Sequence, residues 1–319
     1  MDREQFFSFV KYSVQDILNE RGVEGRIELQ EVTKSNDQVL TGLTLRCEGE
    51  HISPCIYLDD MYERYQHGLE VGCIVREVVD LVEIYGDPEI DLKKFTDYEA
   101  AKEHLTFRLV DISENTYWLQ DKIWEPMGDF AKVCCISVER EADGYMSAVV
   151  TTSNQALLGV TREQLLADAQ KNLQKSEYVF VNIEDMMATL FPGMPDMDPV
   201  EIPSTPLYVL TNPSKVQGAV MIARPDVLKA IGDQFGCDYY VLPSSKHEVL
   251  IVPVDAGIEL GILCGMVEEI NWTEVSIEDK LSDQVQYYDR EKEQLRNALE
   301  STEKEVENKK APREKEQER

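Results

Sequence analysis

Residues 239–252 read Tyr-Tyr-Val-Leu-Pro-Ser-Ser-Lys-His-Glu-Val-Leu-Ile-Val. Two short apolar runs flank a polar connection. The runs predict two strands, Tyr239 to Leu242 and Val249 to Val252, joined by Pro243-Ser244-Ser245-Lys246-His247-Glu248. On the upstream side, Pro225 suits the first position of a helix that turns Val227, Leu228 and Ile231 inward and stops at Gly236. Before it, Leu207 to Leu210 and Ala219 to Ile222 read as strands. On the downstream side, Ile258 to Val267 reads as a helix and Val285 to Tyr288 as a short strand.

The same alternation of strands and helices extends toward the N-terminus. Thr106 to Asp111 looks like a strand. Ala131 to Glu139 and Tyr145 to Thr152 alternate around Ala142-Asp143-Gly144, a good hairpin signal. Thr161-Arg-Glu-Gln164 fits a capping box for a helix that buries Leu165, Leu166, Ala169 and Leu173. Tyr178 to Val181 is a strand, and the five prolines between Phe191 and Pro206 mark an extended loop.

The first 90 residues read as helix, three strands and two helices. Phe6, Val10, Val14, Ile17 and Leu18 form one stripe on a helix from Asp2 to Arg21. Arg26 to Lys34 and Val39 to Arg46 are strands around an Asn36-Asp37 turn, followed by Pro54 to Leu58. Asp59 is placed to cap a helix carrying Met61, Tyr62 and Tyr65. Val71, Ile74, Val75, Val78 and Val82 form a last stripe, which stops at Gly86-Asp87-Pro88.

The pattern predicts an α+β fold with mixed or antiparallel sheets, packed helices and a charged C-terminal helical tail. The expected organisation is an N-terminal α+β module over 1–90, a second α+β module over 91–288, and a tail over 289–319, helical or disordered. The polar run Asp91 to Glu103 bridges the two modules. Within the second, 131–181 and 207–242 share the order hairpin, helix, strand. That order fits a diverged ββαβ duplication, and chance recurrence fits it as well.

Composition narrows the function. The chain has 319 residues, 43% of them apolar, enough for a sizeable core. Its 61 Asp and Glu outnumber 32 Lys and Arg, for a net charge of −29. Direct nucleic-acid binding and anionic membrane surfaces are therefore disfavoured. The tail from Asp289 carries 10 acidic and 9 basic residues, so −28 of the −29 belongs to the body. No basic and apolar leader opens the chain, and Glu259, Glu268 and Glu269 interrupt its most apolar segment, Ala256 to Ile270. The seven cysteines are odd in number and form no C-x-x-C pair. Reduced thiols and a cytoplasmic location are expected.

The Pro243 to Glu248 connection is the first place to look for chemistry. Candidate catalytic residues are Ser244, Ser245, His247 and Glu248: a hydroxyl and an imidazole make a nucleophile and base, and a carboxylate orients the ring. Against this, a Ser three residues from its His on one loop cannot easily reach Nε2 while Glu248 reaches Nδ1, and no G-x-S-x-G elbow is present. The plainer reading is a turn whose hydroxyls and imidazole satisfy loop backbone groups.

The remaining motifs point to ordinary structure. Cys134 and Cys135 are adjacent in a strand, so they face opposite ways and ligate poorly together; one small buried residue is the plainer reading. His51, His67, His104 and His247 lack metal spacing, and Asp196-Met-Asp198 lacks the Gly and distal Glu of a calcium loop. No metal is expected. No phosphate-binding glycine loop occurs, so no cofactor is expected either.

Several motifs recur in a fixed order. They are Thr41-Gly-Leu-Thr44, Ile52-Ser-Pro-Cys-Ile-Tyr-Leu-Asp59 with Tyr62 and Tyr65, and Asn154 to Val160 before the Thr161 helix. Leu210-Thr-Asn212 with Gly218-Ala219, Leu242-Pro-Ser-Ser-Lys-His-Glu248, and Leu281-Ser-Asp283 with Tyr287-Tyr288 follow. On this set the chain resembles, over roughly residues 5–290, a family of uncharacterised bacterial proteins known only as a domain of unknown function. The resemblance implies a shared fold and supplies no activity.

The favoured expectation is a non-catalytic interaction or regulatory protein with an acidic surface, whose partner is a protein with a basic surface. A hydrolase using the Ser/His element at 243–248 is the first alternative. A nucleic-acid mimic that occupies a basic DNA-binding partner is the second.

Overall fold

The computed structural model describes residues 1–47, 55–85, 93–140, 144–184 and 206–300. Pro54, the Gly86-Asp87-Pro88 stop, Ala142-Asp143 of the hairpin turn, the loop over 191–205 with Asp196 and Asp198, and the tail beyond 300 lie outside the described residues. The fold is α+β, built on antiparallel sheets. The chain divides into two compact units, Met1–Asp91 and Leu92–Arg319.

In the first unit, helix α1 (Arg3–Glu20) starts at a full capping box. The Asp2 carboxylate accepts from Gln5 N–H at 2.8 Å, and the Gln5 side chain accepts from Asp2 N–H at 3.2 Å. Its stripe of Phe6, Val10, Val14 and Leu18 is buried, with Phe7 beside it. Strands β1 (Arg26–Thr33) and β2 (Val39–Arg46) pair antiparallel from Arg26 opposite Arg46 to Thr33 opposite Val39. Asn36 and Asp37 both take positive φ in the turn, a conformation these two residue types tolerate. Strand β3 (Cys55–Tyr57) pairs with β2 at Gly42, where a Cβ would lie 2.1 Å from Cys55 Sγ.

Helices α2 (Asp59–Gln66) and α3 (Val71–Tyr85) complete this core with Met61, Ile74, Val75, Val78, Val79 and Val82. Full burial of such side chains contributes roughly 1.5–3 kcal/mol each. Tyr62 and Tyr65 share a face and stack around Phe6. The capping role expected of Asp59 is corrected. The N-cap of α2 is Leu58, and Asp59 instead accepts from Thr41 N–H at 2.6 Å and pairs with Arg3. The carboxylate is drawn to the neighbouring strand end, where a backbone donor and a cation both reach it.

The second unit opens with two short helices, α4 (Lys93–Thr96) and α5 (Tyr98–Ala101), where a polar bridge was expected. It contains two sheets. One joins β4 (Leu105–Asp111), β5 (Trp124–Met127), β6 (Phe130–Arg140) and β7 (Gly144–Val149) around β6. The other has six strands, ordered β13-β12-β10-β11-β9-β8. These are β8 (Val179–Asn182), β9 (Tyr208–Thr211), β10 (Tyr239–Leu242), β11 (Val249–Pro253), β12 (Gln286–Asp289) and β13 (Gln294–Asn297).

A shared core holds the two sheets together. Leu105, Phe107, Leu109 and Cys134 of the first meet Leu210, Tyr239, Val241, Val249 and Ile251 of the second. Between them lie α6 (Thr152–Leu158), α7 (Arg162–Lys175) and α8 (Pro225–Phe235), through Leu158, Leu165, Leu173, Val227 and Ile231. Pro225 stands at the first turn of α8 and Gly236 ends it at φ 74°. On the opposite face of the six-stranded sheet, Leu242 and Val252 pack against Leu263 and Val267 of α9 (Leu260–Thr273). No helix among the described residues is long and apolar enough to cross a membrane.

Three expectations are revised in this unit. Ala219 to Ile222 belongs to a fully buried 3-10 helix, Gly218–Ala223, and not to a strand. The reason is topological: β9 is already paired on both sides, by β8 and β11, so no edge remains for a hairpin partner. The 207–242 stretch therefore lacks the hairpin that 131–181 has. Next, the tail does not begin at Asp289. That residue ends β12, residues 294–297 pair with it as β13, and Ala298 is buried. Last, Cys134 and Cys135 are both buried. The second face of their sheet is covered as well, by Trp118 and Leu119 packed on Val110, Ala131 and Val133.

Polar bonds at the strand ends tie the two sheets in register. Buried Ser282 donates to Asp111 Oδ2 at 2.6 Å, while Asp111 Oδ1 accepts from Ser113 N–H and Oγ–H. Asp129 accepts from Gln286 and Asn297. Asp111→Ala is expected to lower unfolding stability by about 2–3 kcal/mol, and Ser282→Ala by about 1 kcal/mol. Urea midpoints indistinguishable from wild type in both variants would contradict this account.

Candidate functional site

The connection between β10 and β11 is a junction of three chain segments. Residues 243–246 run against residues 279–282. Ser282 N–H donates to Pro243 O at 2.9 Å, Leu281 N–H to Ser244 O at 3.0 Å, and Lys246 N–H to Asp279 O at 2.8 Å. On the other side, Ala219 N–H donates to Lys246 O at 3.2 Å and Thr211 Oγ1 donates to His247 O at 2.8 Å. Ser244 and Ser245 are buried by this arrangement.

His247 is held at both ring nitrogens. Its Nδ1 accepts from Gln217 N–H at 3.3 Å, which places the proton on Nε2, 3.1 Å from Asp279 Oδ1. The Ser245 hydroxyl accepts from the His247 backbone N–H at 3.0 Å rather than meeting the ring. The carboxylate that orients the imidazole is thus Asp279, and the ring nitrogen a nucleophile would need is occupied by a main-chain donor. The structure brings Ser245 and His247 together through the backbone and leaves Glu248 out of the imidazole's bonds.

Asp279 is the electrostatic centre of the junction. Burial would raise its pKa. Outweighing that, Lys246 Nζ at 2.8 Å, the Ser276 hydroxyl at 2.9 Å and His247 hold it down to about 2. Lys246 Nζ also donates to Glu278 O at 2.9 Å. Sequence reasoning missed Asp279 because it lies some thirty residues downstream, in a polar segment with no motif.

A cleft of about 500 Å³ lies in the second unit, beside the 212–217 segment that the junction binds. Asn212, Ser214 and Gln217 line one side; His104, Thr106 and Lys175 are among the residues opposite. None of Ser244, Ser245, His247 and Glu248 lines it. They also do not line a second recess, of about 440 Å³, beside Lys132 and Pro225. The cleft wall is shaped by Gly218, where a Cβ would fall 2.1 Å from Thr211 Oγ1, 2.5 Å from His247 O and 2.7 Å from Asn212 N. Gln217 before it takes φ +55°, and its Oε1 is buried without a partner among the described residues. The Gly218-Ala219 pair was visible in the sequence; the reason for the glycine is this approach of three segments. Among the described residues, no group of three His, Cys, Asp or Glu side chains could hold a metal ion.

Two outcomes are expected. Gly218→Ala should cost about 2–3 kcal/mol by overpacking, read as a lower urea midpoint; an unchanged midpoint would contradict the close approach. Asp279 is depressed in the folded state, so its contribution is present above the unfolded carboxylate value near 4 and is lost as pH falls through about 2. The stability gap between wild type and Asp279→Asn should therefore be full above about pH 5 and close progressively toward pH 2. A gap that grows on acidification would contradict the assignment.

Comparison with known proteins yields one relationship. The sequence model of the Family of unknown function (DUF5688) matches residues 3–290, so it spans both compact units and ends next to β12. No curated protein and no solved structure matches the chain. With the match covering nearly all of its length, the chain belongs to DUF5688, a family of unknown function.

Proposed function

We propose that this protein works by binding rather than by chemistry: a non-catalytic interaction or regulatory protein whose carboxylate-rich surface engages a protein partner with a basic surface. The single observation that carries the reading is the engagement of both His247 ring nitrogens, Nδ1 by Gln217 N–H and Nε2 by Asp279. A general base needs one of those positions open toward a nucleophile. The buried hydroxyl of Ser245 serves the backbone, and the junction as a whole pins the 212–219 and 276–282 segments to the sheet. A net charge of −29 supports the choice of partner, because a surface of one sign steers and selects the opposite sign.

The test has two arms. The immobilised full chain should capture a basic protein at low salt, with an association rate that falls by roughly tenfold or more as salt is raised toward half molar. A fluorophosphonate probe should leave Ser244 and Ser245 unlabelled. Labelling of either serine that disappears in His247→Ala would reverse the reading in favour of a hydrolase.

A further inference from the structure

Strand β4 turns Leu105, Phe107 and Leu109 into the shared core and sends Arg108 to the opposite face of its sheet. There the guanidinium carbon lies 4.5 Å from the centre of the Trp118 ring, itself nearly fully buried. Lys122 Nζ approaches the same ring at 5.3 Å and is paired with Asp121. Arg108 is half-buried, and its Nε is sealed from solvent without an acceptor. Among the described residues no carboxylate pairs with it, whereas Arg3, Arg21, Arg64, Arg224 and Arg290 each hold one.

This is an unusual state for a guanidinium in a chain with 61 acidic residues. Arginine stays charged when buried, so it cannot relieve the desolvation by losing its proton as a lysine can. An aromatic face satisfies the cation above its plane and leaves the in-plane N–H donors unmatched. The acceptors that match a planar fork of donors are oxyanions: two oxygens of a carboxylate or of a phosphate. Burial lowers the Arg108 pKa, as expected for a desolvated charge that lacks a nearby anion. The Cys135 thiol on the adjacent strand, pushed up by its own burial, stays neutral and does not supply one.

We propose that Arg108, set over the Trp118 ring with Lys122 Nζ close to the same ring, is the seat of a small oxyanion-bearing ligand, a carboxylate or a phosphate ester. The surrounding acidity makes the seat selective. A generic polyanion is repelled by a body of net charge −28, whereas a small anion presenting one oxyanion head meets less of that repulsion. The site is separate from the His247 junction and does not depend on the binding role proposed above.

The experiment is thermal unfolding of the full chain at constant ionic strength, with sodium chloride exchanged stepwise for sodium phosphate or for sodium succinate. Wild type should gain about 3 °C at tenfold the half-saturating concentration of the preferred anion. Arg108→Gln should lose that gain, and Trp118→Phe should reduce it. A response to phosphate alone assigns a phosphate ester, and a response to succinate alone assigns a carboxylate. An equal gain in Arg108→Gln, or no gain over chloride with either anion, overturns the proposal. If Arg108→Gln does not fold, Arg108→Lys carries the same comparison, because it keeps the charge and loses the fork.

Discussion

The two-sided burial of strands β10 and β11 is the constraint on which the second unit depends. Tyr239, Val241, Val249 and Ile251 face the core shared with the four-stranded sheet, while Leu242 and Val252 face α9. A strand buried on both faces has no side for polar residues, so its polar residues collect where the chain leaves the sheet. Pro243 to Glu248 is such a place. The short antiparallel register, Tyr239 opposite Pro253 and Leu242 opposite Leu250, delivers Ser244, Ser245 and His247 to the sheet's end at fixed positions.

At that end each backbone group must find a partner or be left dry and unpaired. The 279–282 segment supplies one set of partners, and the 211–219 segment supplies the other. The serine and histidine side chains then fill the remaining valences. The physical demand this junction answers is backbone satisfaction. Side-chain bonds, Asp111–Ser282 and Asp129–Gln286, join the ends of one sheet to the ends of the other.

Arg108 and Trp118 stand outside this logic. Other charges in the described residues have partners: Asp279 has Lys246 and His247, Asp289 has Lys292, Arg224 has Asp226, and buried Asp111 has the hydroxyls of Ser282 and Ser113. The Arg108 Nε is one of five buried side-chain polar atoms without a partner among the described residues, and it is the one whose side chain carries a charge with no ion pair. A buried donor left unmatched calls for a physical explanation, and the proposed oxyanion supplies one.

The sequence by itself determined most of the local structure: the capped and striped helix α1, the β1–β2 hairpin around Asn36-Asp37, the β10 and β11 strands, and helix α8 between Pro225 and Gly236. Each of these rests on periodicity or on a cap read over a few residues, and such signals are local. Tertiary structure alone decided the 3-10 helix at Gly218–Ala223, since an apolar run becomes a strand only where a sheet edge is open to it. It alone decided β13 too, whose Leu295 reaches the core from what reads as a charged tail. It also decided the meaning of His247 and Arg108. The partner of one, Asp279, is distant in sequence, and the isolation of the other is a property of its whole surroundings. No spacing along the chain encodes either fact, because both are set by which segments the two-sided sheet brings to its ends and faces.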